Sequence, residues 1–396
     1  MDTTPDELRA AAAETLSAVW GVPVRCAIEK TLRERGRSRV WRLAVTGGPV
    51  ESVILKASVG DEAHPYVIGD PTLEGAFRRL CNEWAGAAML GPIRMGAIGY
   101  AVNLNLGFCL LEDLGDGETL AERLTGDDPA AATSALFAYA RSLGDLHAAT
   151  KGQQSRWISL LAEQGSVASG DGPIATPWRY AALAIPALCG ELAIEPPPSL
   201  DAELAAIGRA LDEPGDHFAF TPSDCCPDNH YLRGERVVFF DCEFAAVRHA
   251  LLDASYLVAP FPSCWCCAAL PDGLPERLLA AYRERFDGGA DFDDQLTMAL
   301  TAWLVSLIIA RENTITNWVQ TDVPWGLSTV RQRVMALIKH LLARPTLASL
   351  APGLAEVVVE LDSHFRARWP DLAPMPMYPA FRRDSQAADT SLGDRG

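Results

Sequence analysis

The chain has 396 residues, 49% hydrophobic and 21% charged, more than one hydrophobic core usually holds, so two lobes are expected. Its net charge of −17 argues against a nucleic-acid partner, which needs a basic footprint; it suits a cationic small molecule and equally suits plain solubility. No apolar run reaches the roughly 18 residues of a membrane span, and the acidic start lacks an apolar signal core, so a cytoplasmic protein without disulfides is expected, its ten cysteines buried as small hydrophobes.

In chain order, residues 6–20 read as a helix that Gly21-Val22-Pro23 stops. Strand-like residues 24–32 and 40–45 follow, joined by a basic link around Gly36. Gly47-Gly48-Pro49 turns the chain into Val53-Ile54-Leu55-Lys56, a buried strand ending in a cation. Such strands rarely carry a lysine unless it has a partner. A helix through Phe77 and Ala85 carries Glu83, with Glu74 nearer its start. Residues 93–111 alternate as strands and run into Glu112-Asp113-Leu114-Gly115. Residues 130–149 form a helix with Leu136, Ala140, Leu143, Leu146 and His147 on one face, where His147 reads as a buried structural group.

Gly and Pro runs in residues 151–200 read as decoration of the larger lobe, and 201–211 as another helix. Residues 260–344 are mostly helical, and the apolar run 299–310 reads as a buried helix. Cys264, Cys266 and Cys267 lack the spacing of a zinc site. Residues 312–325 mix Glu312, Asn313, Asn317 and Asp322 with two tryptophans, as either an acceptor surface or a helix face beside a core. Residues 371–396 lose the apolar period and are expected to be a frayed tail.

The chemistry concentrates between Thr221 and Asp241. Asn229 lies five positions after Asp224, and Asp241 twelve after Asn229. Arg233-Gly234-Glu235-Arg236 reads as a tight turn, and Val237-Val238-Phe239-Phe240 as a buried strand that ends at the carboxylate. Phosphoryl transfer wants this layout. A nucleotide's phosphates need Mg²⁺, a hard cation that takes carboxylate and amide oxygens. An acceptor hydroxyl needs a group to take its proton. A loop Asp, an Asn five residues on and a strand-end Asp supply a base, Asp224, and two metal ligands, Asn229 and Asp241. The alternative is that Asp224, Asp228 and Asn229 are ordinary turn formers beside a proline.

This stretch resembles the H-G-D-x-x-x-x-N and strand-end D-x-E pattern of the aminoglycoside phosphotransferase and choline kinase-like family. Here it reads Pro222-Ser223-Asp224 to Asn229, then Asp241-Cys242-Glu243, with Asp253 in the place of a further family aspartate. Pro222 stands where the family usually has a supporting His, and Ser223 where it has Gly. The resemblance implies an α+β, protein-kinase-like two-lobe fold. A sheet-plus-helix nucleotide lobe would span residues 1–111, a mainly helical catalytic lobe 112–370, and a tail 371–396. It implies that Lys56 holds the α- and β-phosphates of ATP or GTP and pairs with Glu83, Glu74 being the rival. Gly36-Arg37-Ser38-Arg39 resembles the family's phosphate-covering G-x-S-N, so Ser38 would donate to phosphate. The adenine edge would be read by the backbone from Glu112 to Leu114. The implied reaction phosphorylates a hydroxyl of an antibiotic or metabolite. The alternatives are a pseudokinase, suggested by Pro222 and Arg39, and a protein kinase, which the lack of an A-P-E-type segment after Asp241 disfavours. The acceptor's identity and the oligomeric state are not legible.

Overall fold

Thr4 and Glu7 start the first helix as a reciprocal cap, Thr4 receiving the Glu7 N–H while Glu7 reaches back to the Thr4 N–H. Gly21, at φ 68°, ends it in the left-handed conformation that favours glycine. In this computed structural model, residues 4–60, 65–72, 75–166, 175–309 and 315–382 are described. Helix α1 (Pro5–Trp20) is followed by β1 (Arg25–Arg33), β2 (Ser38–Thr46), β3 (Ser52–Ser58), α2 (Ala76–Leu90), β4 (Gly99–Asn103) and β5 (Phe108–Glu112). The strands form one antiparallel sheet in the order β1-β2-β3-β5-β4.

The two faces of β3 decide the lobe's layout. Val53, Leu55 and Ala57 point to one side and pack in a core with Leu8, Ala12 and Leu16 of α1. Ile54 and Lys56 point to the other side, where α2 lies. Successive strand residues face opposite ways, so a one-residue slip would drive Lys56 into the α1 core. Thirteen of the fifteen residues of α2 are buried, because the helix is wedged between the sheet and the helical lobe.

The second lobe is mainly helical: α3 (Leu120–Thr125), α4 (Pro129–Thr150), α5 (Gln154–Glu163), α6 (Ala175–Leu192) and α7 (Leu200–Asp212) lead into the site. Two small antiparallel strand pairs carry it: β6 (Phe218–Thr221) pairs with β9 (Ala246–His249), enclosing the hairpin of β7 (His230–Arg233) and β8 (Arg236–Phe239). Then come α8 (Leu251–Ala254), α9 (Leu274–Arg283), α10 (Phe292–Ile309), α11 (Ile315–Gln320), the short β10 (Pro324–Trp325) and β11 (Ser328–Thr329), α12 (Val330–Leu342), α13 (Pro345–Leu350) and α14 (Pro352–Arg368). The expected α+β plan is present, with a small five-stranded sheet region and a larger, mainly helical one. Among the described residues, no helix is long and apolar enough to cross a membrane, and the run from 299 lies buried within α10.

Part of the expected tail is not frayed. Residues 371–382 form a strap, extended as far as Tyr378 and ending in a short 3-10 turn at Pro379–Phe381, in which Tyr378, Ala380 and Phe381 are buried. Ala269 N–H donates to Pro376 O at 2.8 Å and Tyr378 N–H to Ala269 O at 3.0 Å. An extended strap has no helical period to read, and its backbone is satisfied by a distant partner. Residues 383–396 lie outside the described residues.

Candidate active site

Strand β3 delivers Lys56 to the cleft between Val40 of β2 and Cys109 of β5. Its Nζ donates to Glu83 Oε2 of α2 at 2.7 Å and to Asp241 Oδ1 at 2.5 Å. Burial alone would push the Lys56 ammonium down, but Asp241, Glu83 and Glu243 hold it well above its usual value. Burial works against ionised Asp241 too, yet Lys56, with Arg33 and Arg37, keeps it below the usual range. Glu83 is raised by burial and by the charge on Asp241, which together outweigh Lys56.

Asp241 follows Phe240 directly beyond β8 and adopts φ 64°. Aspartate tolerates this left-handed conformation better than most residues. Arg33 Nη1 stands 3.8 Å from Asp241 Oδ2. Two positions on, buried Glu243 lies 3.4 Å from Arg79 and 4.0 Å from Arg37, and Asn82 of α2 donates to its carbonyl at 3.0 Å. Helix α2 therefore grips both sides of the Asp241-Cys242-Glu243 turn.

The Asp224 loop leaves β6 through Ser223, another left-handed residue at φ 65°. Asp224 N–H donates to Pro222 O at 2.8 Å, and Asn229 Nδ2 donates to Asp224 O at 3.1 Å, closing the loop on itself. Buried Asp253 of α8 holds it from beneath: Arg248 donates to Asp253 at 2.6 Å and to Thr221 Oγ1 at 2.8 Å, and Cys225 Sγ donates to Asp253 at 3.0 Å. Burial first, then the charges of Asp241, Asp228 and Glu243, push the Asp224 carboxyl up to about 6, with the Asn229 amide opposing them.

The structure thus brings Lys56, Glu83 and Asp241 into contact, and Asp224 and Asn229 into one loop where the charge of Asp241 bears on Asp224. Glu74, the rival partner, lies outside the described residues, as do Glu312 and Asn313. Ser38 does not sit at an open tip: it starts β2 opposite Ser58 and is 2% exposed. At the hinge, Glu112 N–H donates to Ile98 O, and Leu114 O accepts from Arg233 Nη2 at 2.6 Å. Asp113 fixes the same segment through Arg42, Ser52 and the Gly115 N–H. His147 is buried on α4 with Nδ1 2.7 Å from the Tyr282 hydroxyl.

The expectation of no disulfide is overturned. Cys226, inside the Asp224 loop, is bonded to Cys264, and the remaining eight cysteines are free and buried. Composition and compartment set that expectation, and neither reports which thiols the fold brings together. Sequence reasoning also passed over Arg79, Asp113, Arg248 and Arg333. Arg79 and Arg333 are buried beside other polar residues, Arg78 and Asn82 for one and Arg331 and Gln332 for the other, so no local pattern singles them out.

The donor set fits a hard divalent cation. Asp241 offers carboxylate oxygens, and Asn229 commits its Nδ2 to Asp224, so its Oδ1 is not spent on that contact. Burial first, and then repulsion from Asp241, raises Asp224 and Glu243, a local negative excess that a cation would relieve.

No family model and no curated protein matches the chain. Solved structures similar to it include a macrolide 2'-phosphotransferase, MphH, from Brachybacterium faecium: 20% identity, 75% of this chain and 90% of that chain, TM-score 0.41. Another is the choline kinase LicA from Streptococcus pneumoniae, at 12% identity over 84% of this chain and 98% of that one, TM-score 0.42. A third is a choline/ethanolamine kinase family protein from Mesorhizobium loti, at 12% identity over 88% of this chain and 99% of that one, TM-score 0.44. These likenesses are distant, every TM-score lying below 0.5, and they are to small-molecule phosphotransferases of the group that the motifs around Asp224 resemble.

Proposed function

We propose that the chain is a small-molecule kinase that moves the γ-phosphoryl group of ATP or GTP to a hydroxyl of an antibiotic or metabolite. The observation that carries this reading is the ammonium of Lys56, shared between Glu83 of α2 and Asp241 beyond β8. A strand lysine steadied by a helix glutamate beside a strand-end aspartate is what nucleotide phosphates and their metal require. Lys56 binds the α- and β-phosphates, and Glu83 aims it. Asn229 and Asp241 hold Mg²⁺, which when bound neutralises charge on the phosphate oxygens.

Asp224 takes the proton of the acceptor hydroxyl, and a carboxyl near 6 is mostly ionised at neutral pH while still basic enough to serve. The nucleotide base reads whatever groups remain along residues 112–114, since the Glu112 N–H and the Leu114 carbonyl are already engaged. Phosphate cover falls to the backbone at Gly36, φ 90°, rather than to the buried Ser38 hydroxyl. The acidic chain suits a cationic acceptor.

A screen of hydroxylated antibiotics and amino alcohols for ADP or GDP release, with mass spectrometry of the product, tests the reading. The expected result is Mg²⁺-dependent turnover with one acceptor gaining one phosphoryl group. Nucleotide binding without any phosphorylated acceptor would replace it with the pseudokinase reading.

A further inference from the structure

Nine of the ten cysteines are buried, and the tenth, half-buried Cys226, is bonded to Cys264. Their Cα atoms stand 5.5 Å apart across 38 residues of chain. Cys226 lies two residues after Asp224 and three before Asn229. Cys264 belongs to a wall that does not depend on this bond. Arg333 of α12, 1% exposed, donates to Pro262 O at 3.0 Å, to Cys264 O at 2.8 Å and to Trp325 O at 2.5 Å. The neighbouring Trp265 donates its indole N–H to Asp228 Oδ2 at 3.0 Å, a second and weaker tie between the same two segments. A carboxylate oxygen of Asp224 and the two sulfurs lie within 4.8 Å of one another.

The covalent tie therefore joins the loop that carries Asp224 to a fixed point. Lys56, Glu83 and Asp241 sit on other elements and are not joined by it. We propose that Cys226–Cys264 is a thiol–disulfide control site. In the oxidised form it holds the Asp224 loop in register for transfer. Reduction by a low-molecular-weight dithiol releases the loop and slows turnover while nucleotide still binds. This rests on the reading of Asp224 as the base.

The exchange balances as follows. A thiolate of the dithiol attacks Cys226 Sγ, the less buried sulfur, and Cys264 departs as a thiolate that takes up a proton. The second thiol of the reductant then displaces Cys226 Sγ and closes its own disulfide ring. Two electrons and two protons pass from the dithiol to the protein. Oxidation reverses the sequence with a small-molecule disulfide as acceptor of the electrons.

The full chain, oxidised with glutathione disulfide, is compared before and after dithiothreitol. Alkylation with peptide mapping reads the thiols, and hydrogen exchange reads the loop. On reduction, Cys226 and Cys264 should become alkylated together, and amide exchange across residues 222–229 should rise about ten-fold. Turnover should fall about 10- to 100-fold, the size expected for a misplaced catalytic group. The nucleotide Kd measured without Mg²⁺, which does not call on Asn229, should stay within about two-fold, and reoxidation should restore activity. Cys226→Ser should sit at the reduced level and ignore dithiothreitol. Because Cys264 is buried and its loss could unfold the wall, Cys226→Ser carries the test and Cys264→Ala repeats it.

Free Cys226 and Cys264 after oxidation would overturn the proposal. So would full reduction that leaves both loop exchange and turnover unchanged. If no acceptor is ever phosphorylated, the kinase reading fails, while thiol mapping and loop exchange still decide the redox coupling on their own.

Discussion

Lys56 and Asp241 are separated by 185 residues of chain, and Lys56 Nζ and Asp241 Oδ1 by 2.5 Å. One comes from the central region of the small lobe's sheet, the other from beyond a hairpin of the helical lobe. Their contact, with Glu83 as third member, joins the two lobes through charge inside a largely dry site; the Lys56 and Asp241 side chains are 11% and 15% exposed. A buried charge cluster of this kind tolerates the loss of one member badly.

Lys56→Ala should lower kcat/KM by about 10²-fold, because the phosphates lose their cation. It should also lower stability by about 3 kcal/mol at neutral pH, because Glu83 loses its partner and buried Asp241 keeps only the longer contact to Arg33. Adding Glu83→Gln should recover much of that stability and none of the activity. Urea melts and steady-state kinetics on the single and double variants separate the two effects. Unchanged kinetics in Lys56→Ala would remove it from the phosphate role.

Asp241→Ala should abolish Mg²⁺-dependent tightening of nucleotide binding, since the main charged ligand is gone. Asn229→Ala should weaken it less, a neutral amide contributing less to a divalent ion than a carboxylate does. Calorimetric titration of nucleotide at several Mg²⁺ concentrations checks both. Equal Mg²⁺ dependence in wild type and Asp241→Ala would count against the assignment.

Three buried imidazoles make the fold sensitive to acid. Burial lowers His147 and His249 to about 4 and His230 to about 3. Each folded value lies below the unfolded one near 6.5, so the unfolded chain binds protons first. Their stabilising contribution is complete above about pH 6.5 and is lost as pH falls toward about 4, on the order of 3 kcal/mol per ring. Urea midpoints at pH 7, 5.5 and 4.5 should drop in that order. His230→Leu should flatten the slope, since both His230 ring nitrogens lack hydrogen-bond partners among the described residues. A flat wild-type profile would sink the idea.

What was legible in the sequence is what local spacing encodes. Asp224, Asn229 and Asp241 are set by a loop, a hairpin and a strand end, and the turn at residues 233–236 and strand β8 lie where the pattern puts them. Lys56 was legible as a cation ending an apolar strand, and its partner on the next helix through the family resemblance; the structure puts Glu83 in contact with it. Ser38 closes a basic link around Gly36 that reads as a hairpin tip, whereas strand pairing with Ser58 begins at Ser38 itself. The Cys226–Cys264 bond, the Arg333 clasp and the strap at residues 371–382 were illegible for one reason. Each joins segments distant in sequence, and no period or motif records such a pairing.

Asp224→Asn separates the base from everything around it. The amide keeps the size of the side chain and cannot take a proton, so kcat should fall by about 10²-fold, the low end for a general base. The transition state of phosphoryl transfer is loose, which makes positioning weigh more than proton removal and favours that low end. The nucleotide Kd should stay within a few-fold. In wild type, kcat/KM should decline as pH falls through about 6, where Asp224 becomes protonated, and the variant should lack that limb. Stability should move the opposite way. The folded carboxyl lies above its unfolded value of 3.8, so its contribution is complete below about pH 4 and is lost as pH rises through about 6. At pH 7, without nucleotide or metal, ionised Asp224 therefore strains the fold, and Asp224→Asn should melt later, by about 1–3 kcal/mol. A variant that is both slower and more stable marks a group kept for chemistry at a cost in stability. Full activity in Asp224→Asn would rule out the base assignment, and a loss of stability would show that the loop needs the carboxylate for its own structure.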